Sequence, residues 1–246
     1  MNILIIGATS RILEETARCF ALQKERLFLV ARTKDKLDII VEDLRARGAE
    51  VCGARVWNTS HSLEDTRTMM MEAYEKLGFI DAALVGPGFM PDQADMLKDV
   101  KMLDESFVTN ALGIVHVLMV AREMALQKQC GMIAAISSVA GDRGRAAHYV
   151  YGSAKAALSH FLQGLRGELL SHRVPVLTIK PGFVDTPMTA HIRKSFLFAS
   201  PERVGRVICR ALTQKKSGTL YVPWFWYYIM FVLRALPEAI FLRLKI

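Results

Sequence analysis

Short apolar runs of four to seven residues alternate with longer stretches of helical periodicity through most of the chain. Few architectures fit that alternation. A run with no polar face belongs to a strand buried on both sides, and each intervening stretch is long enough for a crossover helix. Strands are predicted at Asn2 to Ile6, Arg26 to Ala31, Val51 to Val56, Ala82 to Val85, Met132 to Ser137, Val174 to Lys180 and Thr219 to Val222. Helices are predicted over Ile12 to Leu22, Lys34 to Arg47, Leu63 to Lys76, Lys98 to Lys128, Tyr149 to Ser171 and Pro201 to Thr213, the last opened by Ser200 as N-cap with a first-turn proline. The expected fold class is α/β, a doubly wound sheet of seven parallel strands with helices on both faces. With 246 residues, 52% of them hydrophobic, the chain suffices for one domain with a large core, drawn here as 1–222, followed by an aromatic tail, 223–246.

Open parallel sheets bind ligands at the carboxyl ends of their strands, and the polar and glycine-rich segments fall there. Tyr151 and Lys155 lie four apart on a predicted helix, so they share a face, one turn apart. Ser138, thirteen residues before Tyr151, follows the fifth strand. A free tyrosine has a pKa of about 10, so proton exchange near neutral pH calls for a neighbouring cation such as Lys155. With Ser138 holding a carbonyl oxygen against the phenol, the three form a proton donor for ketone reduction.

The first strand turns into the first helix through Gly7-Ala-Thr9-Ser10-Arg11-Ile12-Leu13, where a dinucleotide-binding fold sets its pyrophosphate against a helix N-terminus. Only the first of three expected glycines is present. Thr9, Ser10, Arg11 and the backbone at Ile12 are candidates to hold phosphate instead, whereas Leu13 is expected to push helix from sheet. Arg32 ends the second strand with no acidic residue beside it, which favours a 2′-phosphate and hence NADP(H) over NAD(H). Asn58 is a candidate acceptor for the adenine amine. Gly86 and Gly88 mark a loop that permits close approach of a ribose.

The formal net charge of +8 suits phosphate-bearing ligands or an anionic membrane. Nucleic acid is not expected, since no zinc finger, aromatic-basic platform or long Lys/Arg run is present. Cys19, Cys52, Cys130 and Cys209 show no metal-site spacing and read as small buried hydrophobes in a reducing compartment. No basic leader precedes the first strand, and a cytoplasmic location is expected.

These motifs make the chain resemble the short-chain dehydrogenase/reductase family from Asn2 to about Val222. The resemblance rests on the Gly7 turn, Asn110 in Val108-Thr-Asn-Ala-Leu-Gly113, Ser138, Tyr151-x-x-x-Lys155 and Pro181-Gly-Phe-Val-Asp-Thr186. It implies that Tyr151 is the proton donor, that Lys155 lowers its pKa and binds nicotinamide ribose, that Ser138 polarises the carbonyl, and that Asn110 holds a water in a proton relay. It further implies that Pro181, Gly182, Val184 and Thr186 meet the nicotinamide carboxamide, and that subunits pair into a homodimer or homotetramer through the fourth and fifth helices. Val85-Gly-Pro-Gly88 departs from the family's usual Asn-Asn-Ala-Gly, so bracing amides are missing there.

The tail, Trp224-Phe-Trp-Tyr-Tyr-Ile-Met-Phe-Val-Leu233 and then Leu236 to Ile246, has an uninterrupted apolar run of about fourteen residues, short of the ~20 needed to cross a bilayer. Its aromatics, with Arg234, Arg243 and Lys245, suit a helix pair lying at a membrane surface, and packing on a partner subunit is the alternative. With Gly141-Asp-Arg-Gly-Arg145 and His148 to Lys155, the tail is similar to family members that reduce keto-sugars carried on polyprenyl phosphates. That similarity implies such a substrate, with Arg143, Arg145 and His148 as candidates for its phosphodiester, at the inner face of a membrane. Other readings remain: a reductase of free lipophilic ketones, or a nucleotide-sensing or scaffold protein that lost turnover with its glycines.

Overall fold

A computed structural model describes residues 1–244, so Lys245 lies outside the described residues. Seven parallel strands form one sheet: β1 (Asn2–Ile6), β2 (Arg26–Ala31), β3 (Glu50–Val56), β4 (Ala82–Val85), β5 (Ile133–Ile136), β6 (Val176–Pro181) and β7 (Gly218–Val222), in the order β3-β2-β1-β4-β5-β6-β7. The order reverses between β1 and β4, which opens a crevice at their carboxyl ends.

Successive strand residues point to opposite faces, and both faces are covered. Ile3, Ile5, Leu27 and Leu29 pack beneath α1 (Arg11–Leu22), α2 (Lys34–Ala46) and α8 (Pro201–Thr213). Leu4, Ile6, Phe28 and Val30 pack on the other side against α3 (Leu63–Leu77), α6 (Gly113–Leu126) and α7 (Tyr149–Leu169). Ser200 caps α8 by accepting from the Arg203 amide, with Pro201 in the first turn. Ser62 and Asp65 close a capping box at the start of α3.

The helix predicted from Lys98 to Lys128 is not uniform. A short helix α4 (Gln93–Met96) comes first, then α5 (Val100–Phe107), a π-helical turn (Val108–Leu112) and α6. Asn110 sits in the widened turn, and Gly113 follows where any Cβ would overlap Thr59. Val100–Leu126 is long and apolar enough to span a membrane by length and composition, but half of its most apolar window is buried inside the domain.

The tail also departs from expectation. It forms α9 (Trp226–Ala235) and α10 (Glu238–Phe241), interrupted at Leu236-Pro237, and one side packs onto the domain. Trp226, Met230 and Phe241 are buried, whereas Trp224, Tyr228 and Phe231 are exposed. Cys130 and Cys209 are buried, Cys19 and Cys52 only partly so, and all four are free.

Candidate active site

Loops at the carboxyl edge of the sheet enclose two adjoining clefts. The larger, about 800 Å³ when the space open to solvent is included, lies over β5 and β6 and contains Ser138, Tyr151 and Lys155. The smaller, about 510 Å³, lies beyond β1 and β2 and is bordered by Gly7, Thr9, Arg32 and Asn58. Ser10, Pro87 and Gly88 border both, so the two form one groove across the topological switch point.

The loop after β5 and helix α7 interlock through two glycines. A Cβ on Gly141 would come within 2.7 Å of the Lys155 carbonyl carbon, and one on Gly152 within 2.9 Å of the Ala140 oxygen. That contact sets Ser138, whose hydroxyl accepts from the Ala140 amide at 3.1 Å, beside Tyr151 in the first turn of α7. The Ser137 hydroxyl donates to the Lys155 carbonyl at 3.0 Å and pins the helix to the strand end. Lys155 is 2% exposed, and its ammonium donates to the Ile136 carbonyl at 3.1 Å, 5.8 Å from the centre of the Tyr151 ring.

The electrostatics correct one expectation. Burial pushes the Tyr151 phenol up to about 12, opposed in part by the Ser138 hydroxyl. The same dry surroundings push Lys155 down to about 7. Lysine therefore does not lower the tyrosine here, because the pocket disfavours charge on both. The high value keeps Tyr151 protonated through neutral pH, the form needed to donate a proton to a carbonyl oxygen.

At the nucleotide turn Gly7 has φ +93°, and a Cβ there would lie 2.7 Å from the Pro87 nitrogen. Ser10 precedes α1 without a side-chain capping bond, so its hydroxyl remains available beside the helix's unpaired first-turn amides. Leu13 does not push the helix away. It is fully buried, and a Cβ on Gly86 would come within 2.9 Å of its Cδ1. The glycine on the β4 loop opens the space that the leucine on α1 fills.

Arg11 does not reach a phosphate site. Its guanidinium pairs with Glu14 and Glu15 at 2.9 Å and with Glu202 on α8 at 3.3 Å, where Gly205 lets α8 approach the backbone of α1. Arg32 borders the smaller cleft as expected, with Glu105 at 3.8 Å, both about half exposed. A solvent-screened pair of that length is worth little and is readily exchanged for a phosphate. The Asn58 oxygen is engaged by the Ser60 amide at 2.9 Å and by the Ser60 hydroxyl, which removes its expected role as acceptor for adenine. Trp57, not anticipated from sequence, also borders this cleft, and its buried Nε1 has no partner among the described residues.

Asn110 is likewise engaged. Its amide donates to the Phe89 carbonyl and, at 2.9 Å, to the Ser106 carbonyl, while its oxygen accepts from the Phe89 amide at 3.1 Å. The side chain braces the loop after β4 and is not free to hold a water; any relay through this position falls to the main chain of the widened turn.

Pro181, Gly182, Val184 and Thr186 border the larger cleft as predicted. The Val184 carbonyl accepts from the Thr189 hydroxyl at 2.6 Å, which leaves its amide as the group without an intrachain partner among the described residues. Gly182 carries the Trp226 indole directly on its backbone, where any Cβ would overlap the ring. Met90, Phe183, Met188 and Ile192 give the cleft an apolar wall. The sequence pointed to none of these, since loop hydrophobes follow no period.

Arg143 and Arg145 part company. The Arg143 guanidinium donates to the Leu233 carbonyl and, at 2.7 Å, to the Leu236 carbonyl at the end of α9, and lies 4.0 Å from the centre of the Phe241 ring. It holds the tail and is not placed for a substrate phosphate. Asp142 beside it pairs with Lys180 and accepts from the Tyr221 hydroxyl at 2.7 Å, in a largely buried cluster. Arg145 and His148 do border the larger cleft.

A pyrophosphate-bearing cofactor fits this groove: a close-packed glycine turn, an open helix start and the Trp57 side chain border it, and the proton donor stands at its other end. Among the described residues no group of three metal-ligating side chains occurs. The chain belongs to the short-chain dehydrogenase/reductase family, whose short chain dehydrogenase model matches residues 1–196. It is an oxidoreductase of that family, with an NAD(P)-type cofactor. It is 32% identical over 246 residues to an uncharacterized oxidoreductase of Mycobacterium tuberculosis, covering 98% of this chain and 96% of the relative. An uncharacterized oxidoreductase of Streptomyces coelicolor is 31% identical over 248 residues, covering 100% and 96%. Among solved structures, a variant of actinorhodin polyketide ketoreductase with NADPH matches with a TM-score of 0.79 at 21% identity, covering 90% of this chain and 95% of that one. Levodione reductase matches at 0.76 and 18% identity, covering 89% and 95%. At those identities the structural matches establish the fold.

Proposed function

We propose that the protein is an NADP(H)-dependent ketoreductase that reduces a keto-sugar carried on a polyprenyl phosphate while seated on a membrane surface. The observation that carries this reading is the wall of the larger cleft. Phe183 borders the cleft and also meets Trp226 edge-on at 5.4 Å, so the apolar lining beside Tyr151 is continuous with the aromatic cluster of the tail. A lipid-linked substrate needs such a path from bilayer to proton donor.

The dinucleotide would lie along the groove, its pyrophosphate at Ser10 and the first-turn amides of α1, its adenosine end by Trp57 and Arg32, and its carboxamide at Val184 and Thr186. When bound, it supplies the hydride. Ser138 donates to and orients the substrate oxygen, Tyr151 gives it a proton, and Lys155 holds the ribose side of the site while α7 fixes its distance from the phenol. Arg32 supports NADPH over NADH because a guanidinium matches a phosphate by two parallel hydrogen bonds. Arg32→Ala is expected to weaken NADPH about tenfold or more and to leave NADH unchanged by calorimetry. Equal losses for both would remove the 2′-phosphate role.

The substrate is tested by following NADPH consumption with a polyprenyl-phosphate keto-sugar, the same keto-sugar without its lipid, and a simple cyclic ketone. A kcat/KM at least about a hundredfold higher for the first is expected, given ~0.8 kcal/mol for each buried methylene. Comparable values for all three would favour a reductase of free lipophilic ketones.

The exposed side of the tail, with Trp224 just ahead of α9 and Tyr228, Phe231 and Arg234 on it, supports membrane contact. Changing Trp224, Tyr228 and Phe231 together to Ser should release the protein from anionic liposomes without lowering its melting temperature by more than a few degrees. Undiminished co-sedimentation would count against a lipid-facing tail. Pairing with a second copy would use the exposed side of α7, where Gly164 and Gly167 have open space above them.

A further inference from the structure

Arg145 stands apart from the chain's other cleft residues. It borders the larger cleft, yet no carboxylate, carbonyl or hydroxyl pairs with its guanidinium among the described residues, and burial alone draws its pKa down. A guanidinium kept partly desolvated and unpaired costs free energy unless something completes it. Three further features that can donate hydrogen bonds lie near it. His148 borders the same cleft, held below the ordinary imidazole range by burial and by the charges of Arg145 and His191, with Asp92 opposing. His191 lies on the exposed segment between Thr189 and Ile192, both of which border the same cleft, and its charge acts on His148.

The fourth feature is the start of α7. This 21-residue helix begins at Tyr149 directly after His148, with no side-chain cap and no acidic residue in its first turn. Its unpaired first-turn amides and the positive end of its dipole therefore face the loop that carries Arg145. One of those amides, on Val150, has a long contact of 3.4 Å to the Gln93 side chain, which itself donates to the Ala146 carbonyl at 2.5 Å. Asp92 caps α4, its carboxylate accepting from the Ala94 amide at 2.7 Å, and its charge partly offsets those of Arg145 and His191 at His148.

We infer that Arg145, His148, His191 and the N-terminus of α7 form an oxyanion site at the substrate side of the catalytic cleft, which takes a phosphate group of the carbonyl substrate. Donors arriving from three elements suit the outward oxygens of a tetrahedral phosphate better than a flat carboxylate, which one guanidinium satisfies alone. The site lies within one turn of Tyr151, so an anchored phosphate fixes the reach between anchor and carbonyl. It is separate from the pyrophosphate cradle at Ser10 on α1. This inference rests on the reading of the protein as a reductase of phosphate-bearing substrates, and it replaces Arg143 by His191 in the set expected from sequence.

Three probes test it on the full-length protein saturated with NADPH: farnesyl phosphate, farnesol and inorganic phosphate, titrated by calorimetry and by the NMR signals of the histidine rings. Farnesyl phosphate is expected to bind and to shift the His148 and His191 resonances, and Arg145→Ala to weaken it at least about tenfold while leaving farnesol and NADPH unchanged. Arg145→Lys should recover part of the affinity for inorganic phosphate, because the charge is kept and the fork is lost. Equal affinity of wild type and Arg145→Ala for farnesyl phosphate would overturn the site, as would equal losses for farnesyl phosphate and farnesol. Competition between inorganic phosphate and NADPH would place the anion in the cofactor groove instead. A protein that binds farnesyl phosphate through Arg145 yet reduces no ketone would keep this site and refute the reductase reading.

Discussion

Tyr151→Phe is expected to lower the rate of carbonyl reduction by roughly 10³-fold, because removing a positioned general acid forfeits about 10²–10⁴ in rate. The phenol is buried in the first turn of α7 beside Ser138, and burial raises its pKa to about 12. It therefore stays protonated, and able to donate, through neutral pH. Phenylalanine fills the same volume and leaves the glycine-locked contact between the Ser138 loop and α7 untouched. NADPH affinity by calorimetry should stay within about threefold. A parallel fall in affinity and rate would mean that Tyr151 organises the pocket and does not act as the acid.

Lys155→Met is expected to abolish useful turnover while making the cofactor-free protein more stable at neutral pH. Burial depresses the folded-state pKa of Lys155 to about 7, against 10.5 in the unfolded chain. The unfolded state therefore binds the extra proton between those values, and wild-type stability rises with pH across that window. Below about 7 the full penalty applies, at most roughly 5 kcal/mol from ~1.4 kcal/mol per pKa unit. Methionine escapes it but leaves the Ile136 carbonyl without its donor, which costs about 1–3 kcal/mol. A net gain of roughly 2 kcal/mol at pH 6, or several degrees in melting temperature, should shrink as pH rises toward 10. Destabilisation at pH 6 with no pH dependence would show that the ammonium is not strained in the folded state.

The sheet was legible because uninterrupted apolar runs bounded by turn residues have few other uses, and five of the six predicted helices were found to within a few residues on the same ground, the sixth, Lys98 to Lys128, being broken by the π-helical turn at Val108–Leu112. Tyr151, Lys155 and Ser138 were legible because their spacing is local or ends a strand. What escaped depended on contacts distant in the chain. Arg11 meets Glu202 across 191 positions, and no local pattern announces that partner. Leu13 and Gly86 stood out separately as departures from the family pattern, and only their contact shows that they are one change, bulk moved from the β4 loop to α1. The tail's packing on its own domain escaped for a related reason. The sequence suited a helix pair at a membrane surface or on a partner subunit, and only the fold shows that Trp226 and Met230, at helical spacing among exposed neighbours, fill a space beside Gly182 and Val139.

Helix α9 therefore answers to two masters along its length. Trp224, just ahead of the helix, and Tyr228 and Phe231 on it are exposed and open to change. Trp226 bears on the Gly182 loop and the carbonyls ending the helix are gripped by Arg143, so a change on that side is felt at Ser138 and at the carboxamide loop alike. Substitutions on the exposed side can thus accumulate without disturbing the cleft, whereas trimming the segment away also removes the support under the Gly182 loop.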